Sequence, residues 1–390
     1  FVNNGLFKVA SSYQPSHPKA LMVTKGFADL EWLHRTVNDS SIITKEGDKY
    51  RLSYPLIIGK NATLLINDKL ELNSASGTAI INLGTLILNK AVVVGSVTAG
   101  KQSKGSFRPF ITSWNGSETY IYHAELFDLG YDAHLSHGLS IIKHVGLAGV
   151  SGESAWVEVV NSRFNRMEAG LTVNGAKGII SKNHIDGSRQ YGINVNNSSL
   201  QIEQNIIKNT ALNSGIHLQS PYRMIIKKNK IERSKKAGIS VAGRVGVLKV
   251  IGNQLLSNHG SGMLIEATDT SDNGYIQVLG NILAHNEQSG IQTNCVHICQ
   301  IDKNIFIANQ QYAISFLNSH QFSDHSLLIT ENSFTQSPNE LVQVSGLQHL
   351  IFGNNKLTLN PGSHSVFSGE LQPIQSKILR NILSNNGIVE

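Results

Sequence analysis

Apolar and polar residues alternate along this chain in short runs, as in Gly238-Ile239-Ser240-Val241-Ala242. A period of two, without the 3.6-residue period of a helix, predicts half-buried β-strands. The runs recur at a fixed interval. An Asn followed by a small apolar stretch appears at Asn183, Asn205, Asn229, Asn253, Asn281, Asn304 and Asn332, in steps of 22, 24, 24, 28, 23 and 28 residues. A second marker, Gly before an apolar residue, recurs out of phase at Gly138, Gly170, Gly192, Gly215, Gly238, Gly262 and Gly290, with Ala313 in the next place. Leucine-rich repeats share this length but carry a dense Leu consensus that is absent here, and helical repeats are longer. One coil per repeat, stacked as an all-β solenoid, is the expected architecture: a parallel β-helix with Asn and Gly at its corners. Corner Asn side chains of successive coils can then form hydrogen-bonded ladders.

Residues 56–99 read as earlier, less regular coils, through Leu64-Leu65-Ile66, Ala79-Ile80-Ile81, Leu86-Ile87-Leu88 and Val92-Val93-Val94. From Phe27 to Val37 the spacing of Phe27, Leu30, Leu33 and His34 predicts an amphipathic helix, a short N-terminal cap over the first coil. The expected division is a segment with the cap over 1–54 and a β-helix with coils of 22–28 residues over 55–390. The polar stretch Gly95 to Gly105 reads as a loop projecting from one coil.

Superimposing the coils on the Gly marker puts the next residue inward and positions +2 and +4 outward. Position +2 reads Thr172, Asn194, His217, Ser240, Leu264, Gln292 and Ser315; position +4 reads Asn174, Asn196, Gln219, Ala242, Glu266, Asn294 and Leu317. A solvated face is polar by default. These stripes, however, hold Asn, Gln, His and Ser rather than Lys and Glu, and uncharged hydrogen-bonding side chains suit a sugar groove.

Composition narrows the partner. Only 15% of residues are charged, the formal net charge is +6, and hydrophobic residues make up 40%, which excludes wholesale disorder. No apolar run is long enough for a membrane span. The central coils are basic, with Arg223, Lys227, Lys228, Lys230, Arg233, Lys235, Lys236 and Arg244, so an acidic partner is favoured. That run has no interleaved aromatics, which argues against nucleic acid. The chain begins at Phe1 without a basic-apolar leader, the expectation for a processed or trimmed product, which permits export.

Cys295-Val296-His297-Ile298-Cys299 offers three metal-ligand types on one short strand, poor tetrahedral geometry. A local disulfide or two buried thiols is the alternative. Asp269 to Gly274 is acidic enough to hold Ca²⁺ but lacks the EF-hand spacing and reads equally as a surface turn. No cofactor is otherwise expected.

The most specific segment is residues 107–141: Phe107-Arg108-Pro109-Phe110, Trp114-Asn115-Gly116-Ser117, Leu129-Gly130-Tyr131-Asp132-Ala133 and His137-Gly138-Leu139-Ser140-Ile141. With Tyr50-Arg51-Leu52, Pro55 to Gly59, Ile81 to Gly84 and Lys235 to Ile239, it resembles the periplasmic mannuronan (alginate) C5-epimerases. The resemblance implies a right-handed parallel β-helix, a periplasmic or secreted bacterial setting, an acidic polysaccharide as partner and contact with exopolysaccharide secretion proteins. It also implies an Asp-Pro-His-Asp motif directly after a Gly-Ile. Here that place reads Gly215-Ile216-His217-Leu218-Gln219-Ser220, so Gln219 stands where the family has its catalytic His. The family's Ser-Arg-Glu-Val segment reads Ala242-Gly243-Arg244-Val245, with the Arg lost or displaced by one residue.

Epimerising a uronate at C5 needs a base, an acid on the opposite face and a cation or strong donors for the developing dianion. His217 is the candidate base, Arg244 the carboxylate neutraliser and Tyr222 the acid. Asn194, Asn196, Gln219, Ser240, Glu266, Gln292, Asn294, Arg223 and Lys227 are the candidate sugar contacts. Three functions compete: an epimerase with relocated catalytic residues, a non-catalytic polysaccharide-binding or guiding protein, and a polysaccharide lyase.

Overall fold

The computed structural model describes residues 20–96, 107–133, 136–143, 153–294, 298–317, 326–335, 340–347, 349–359 and 365–384, without the side chains of 269–273. The loop expected at Gly95–Gly105 lies almost wholly outside them. So do Cys295 and His297 and most of the Asp269–Gly274 side chains. Cys299 is disulfide-bonded. The chain divides into two compact units, residues 1–194 and 195–390.

In the first unit the strands pair in parallel, coil on coil. Strand Leu21–Asp29 lies against Leu56–Ile66, with Leu21 opposite Leu56 and Asp29 opposite Leu65. Each complete coil then supplies three strands. The first strands run Ala79–Asn82, Phe110–Trp114, Gly138–Ile142 and Ala169–Asn174. The second strands run Thr85–Asn89, Glu118–Tyr122, Trp156–Val160 and Lys177–Ser181. The third include Glu125–Phe127, Arg163–Asn165 and His184–Asp186.

The cap helix runs Leu30–Val37, starting where Asp29 accepts a hydrogen bond from Trp32 N at 2.7 Å and burying Leu30 and Leu33. Phe27 does not belong to it. It sits three residues earlier on the strand and is exposed, so its helical spacing to Leu30 is coincidental. Residues 107–142, the segment with the strongest family resemblance, hold an aromatic core. Phe107, Phe110 and Tyr131 have ring centroids 5.3–6.2 Å apart, and Ala79, Trp114 and Ile142 pack with them in the cluster.

The second unit repeats the plan with regular register: Ile216–Gln219 on Ile239–Ala242, Met263–Ile265 on Ile291–Thr293, then Ile314–Leu317 on Val342–Ser345. Buried Asn side chains make the expected ladder. Asn205 Nδ2 donates to Asn229 Oδ1, and the same bond continues through Asn253, Asn281, Asn304 and Asn332 to Asn355 at 2.9–3.1 Å. The bend itself is made by the residue before each ladder Asn. Gln204, Lys228, Lys303, Glu331 and Asn354 all have φ near +55°, a left-handed conformation that disfavours L-residues by about 1–2 kcal/mol. The ladder bonds hold them there, which is why the corners need not be Gly. A second ladder links Asn258, Asn286 and Asn309. Helix Gln375–Ser384, which the repeat pattern does not announce, closes the last coil: Gln375 Oε1 accepts from Val366 N and Phe367 N.

Candidate functional site

The first strands of the second unit display the outward columns that alternation predicts. Ile216 and Leu218 are fully buried, whereas His217 and Gln219, which alternate with them, are half-buried. His217 stands opposite Ser240, Ser240 opposite Leu264, Leu264 opposite Gln292 and Gln292 opposite Ser315. The column runs further than expected, through Gln343 to Ser368. Ser315 Oγ donates to Gln343 Oε1 at 2.9 Å. In the second column Gln219 stands opposite Ala242, and Ala242 opposite the exposed Glu266. Asn294 is half-buried, its Nδ2 donating to Ala267 O at 3.1 Å. Asn194 and Asn196 take the equivalent outward places on strand Ile193–Asn196.

His217 is the chemically distinctive member. Its Nδ1 lies 2.9 Å from Ser240 Oγ. Burial, and secondly the ammonium of Lys236, hold its pKa below the ordinary 6.5. The imidazole is therefore neutral at pH 7, the form a general base requires. Lys236 was read as part of a basic run and of the segment Lys235 to Ile239, not as a neighbour of His217; the signal that could have singled it out is its place two residues before the Gly238 marker, at the mouth of the next first strand.

Arg244 and Tyr222 come from beyond the first strands that carry His217 and Ser240. Both lie past the corner where Ser220 and Gly243 take left-handed backbone, φ 49° and 77°. Arg244 is four residues beyond Ser240, at most about 13 Å along an extended strand. Around that corner sit Gln219, Ser220, Gly243, Arg244 and Tyr222, which is 66% exposed. A Cβ on Gly243 would lie 2.5 Å from both Gln219 Nε2 and Ser220 Oγ, so the corner is packed by those two polar groups. The site thus has a column part, His217 with Ser240, and a corner part carrying the cation and the phenol.

Arg223 and Lys227 begin and end the second strand of their coil, Arg223–Lys227, and so are off the face that carries His217. Lys230 and Arg233 of the basic run are engaged elsewhere. Glu232 holds Lys208 at 3.0 Å, Lys230 at 2.9 Å and Arg233 at 3.2 Å on the third strands. Among the described residues no group of three His, Cys, Asp or Glu side chains could hold a metal ion.

Residues 111–255 match the family model for a right handed β-helix region. The coils and their register thus define a right-handed parallel β-helix with outward polar columns, in which Ser240 and Ser315 are buried and His217, Gln219 and Gln292 half-buried. The chain is a homologue of the mannuronan C5-epimerases. It is 28% identical over 322 residues to the mannuronan C5-epimerase of Pseudomonas putida, covering 77% of this chain and 60% of that protein. It is 25% identical over 314 residues to the mannuronan C5-epimerase AlgG of Azotobacter vinelandii, covering 76% of this chain and 58% of the relative. The chain therefore spans about 60% of the length of these relatives. The crystal structure of the periplasmic alginate epimerase AlgG superposes with a TM-score of 0.80 at 20% identity, covering 90% of this chain and 88% of that one, a likeness of fold.

Proposed function

We propose that this protein acts on an acidic, mannuronate-containing polysaccharide of the alginate type as a C5-epimerase, in the periplasm and alongside exopolysaccharide secretion proteins. The observation that carries the reading is the half-buried His217 imidazole, 2.9 Å from Ser240 Oγ in an outward column, on a chain homologous to mannuronan C5-epimerases over 322 residues. The sugar lies across the coils, held by Ser240, Gln292 and Asn294. His217 removes the C5 proton, Arg244 neutralises the carboxylate charge that develops, and Tyr222 returns a proton from the opposite side. No metal is required by this scheme. Gln219 and Gly243 supply neither a base nor a cation at the corner, and this favours a second reading, a protein that binds and guides the polymer without turnover.

Incubation with polymannuronate in D₂O, followed by NMR of the sugar, separates the readings. Deuterium at C5 with guluronate signals supports the epimerase, and unsaturated ends replace it with a lyase. An unchanged polymer bound with salt-sensitive affinity replaces it with the binding protein.

A further inference from the structure

The second strands of the first unit carry a patch unlike the polar columns. Glu118, Tyr120 and Tyr122 face outward from strand Glu118–Tyr122, and Trp156 and Glu158 from strand Trp156–Val160. Parallel register puts Glu118 beside Trp156 and Tyr120 beside Glu158. On the flanking coils Ile87 stands beside Tyr120, and Lys177 beside Trp156. The two tyrosine rings are near-parallel, 6.4 Å apart with an 18° interplanar angle. Tyr120 Oη donates to Glu118 Oε2 at 3.3 Å. Burial, and then a hydrogen bond to Glu158, push the Tyr122 phenol up to about 12.

Both phenol protons are thus committed to carboxylates. Its centre offers carboxylate lone pairs and aromatic faces, beside the indole N–H of Trp156. The donor Lys177 sits at the rim. A sugar hydroxyl donates and accepts alike, and a uronate is repelled by two carboxylates. The group that matches acceptors and π-faces is a flat cation with donors and no acceptor, which is a guanidinium. We infer that this aromatic-acidic patch is a docking point for an arginine side chain of a partner protein. Four coils at about 4.8 Å spacing make it roughly 14 Å wide, enough to anchor one or two side chains as the centre of a larger interface. The chain's formal charge of +6 repels basic partners overall, so recognition of a cation has to be local. The patch is independent of the His217 chemistry.

The test uses the intact chain and two trifluoroacetyl peptides, Gly-Arg-Gly-Arg-Gly-amide and its Lys counterpart, followed by ¹⁹F line width. The Arg peptide is expected to bind more tightly than the Lys peptide, by up to about fivefold, because a planar guanidinium stacks on the rings and forks onto a carboxylate where an ammonium is a point charge. The preference should vanish in Glu118→Gln/Glu158→Gln and in Tyr120→Ser/Tyr122→Ser. The Gln pair is isosteric and decides the matter even if the Ser pair does not fold. Equal binding of the two peptides, binding unchanged in the Gln pair, or displacement of the peptide by the neutral oligosaccharide maltohexaose would each overturn the inference.

Discussion

Replacing Asn281 by Ala tests what holds the second unit together. The side chain is fully buried and does several things at once. Its Oδ1 accepts from Asn253 N at 2.8 Å and Asn253 Nδ2 at 2.9 Å. Its Nδ2 donates to Val250 O and Asn304 Oδ1, each at 2.9 Å. In the Ala variant Asn253 Nδ2 still reaches Ile226 O, and Asn304 Oδ1 still accepts from the backbone N of Asn281. The Asn253 backbone N–H, however, loses the acceptor it has here, and Val250 O loses a donor. A buried polar group left unmet costs about 1–3 kcal/mol, so the substitution should destabilise the fold by roughly 2–5 kcal/mol. Solenoids lose cooperativity coil by coil, so two measurements are needed. Urea denaturation followed by circular dichroism gives the global loss. Hydrogen exchange at the Asn253 amide gives the local one, and protection there should collapse. A loss below about 1 kcal/mol with Asn253 still protected would mean that the ladder is not what fixes the corners.

Other predictions concern the site and the first unit. Because its folded pKa is lowered, His217 resists a proton that the unfolded chain accepts, so stability should fall as pH drops from about 6.5 and level off below the folded value. Lys236→Met removes one of the two causes and should shift the His217 titration upward, read by NMR with His217→Gln to assign the signal; an unmoved titration would discard the Lys236 contribution. Gly243→Ala places a Cβ on Gln219 and Ser220 in a left-handed corner, and should lower stability by about 1–2 kcal/mol or more in a urea titration. Phe110→Ala opens the aromatic core of residues 107–142 and should cost about 3–5 kcal/mol by the same assay, while leaving His217 titration unchanged.

The solenoid was legible because each coil repeats the same physical problem. An inward apolar pair and a buried corner amide must recur at every turn, so Gly238-Ile239 and Asn253 announce themselves by spacing. The outward columns followed from alternation, which is a local property. Distance across a corner is not local. Whether Arg244 stands over His217 depends on the bend at Gly243, and whether Arg223 and Lys227 share its face depends on the corner at Ser220. The helix start was misplaced because Phe27 happens to fall at helical spacing from Leu30, while Asp29, the side chain that caps the helix, marks the true boundary. The aromatic-acidic patch was present in the sequence as Glu118-x-Tyr120-x-Tyr122, an alternation that only parallel register with Trp156 and Glu158 turns into a surface. Helix Gln375–Ser384 carried no repeat marker, since it ends the repeat.

The most direct test of the account is a crystal structure of the protein with a bound oligomannuronate. The account predicts sugar density across the column from His217 through Ser240 and Leu264 to Gln292, with a C5 carbon facing the His217 imidazole and a carboxylate turned toward Arg244. Sugar held on the second or third strands, or a C5 remote from His217, would contradict it.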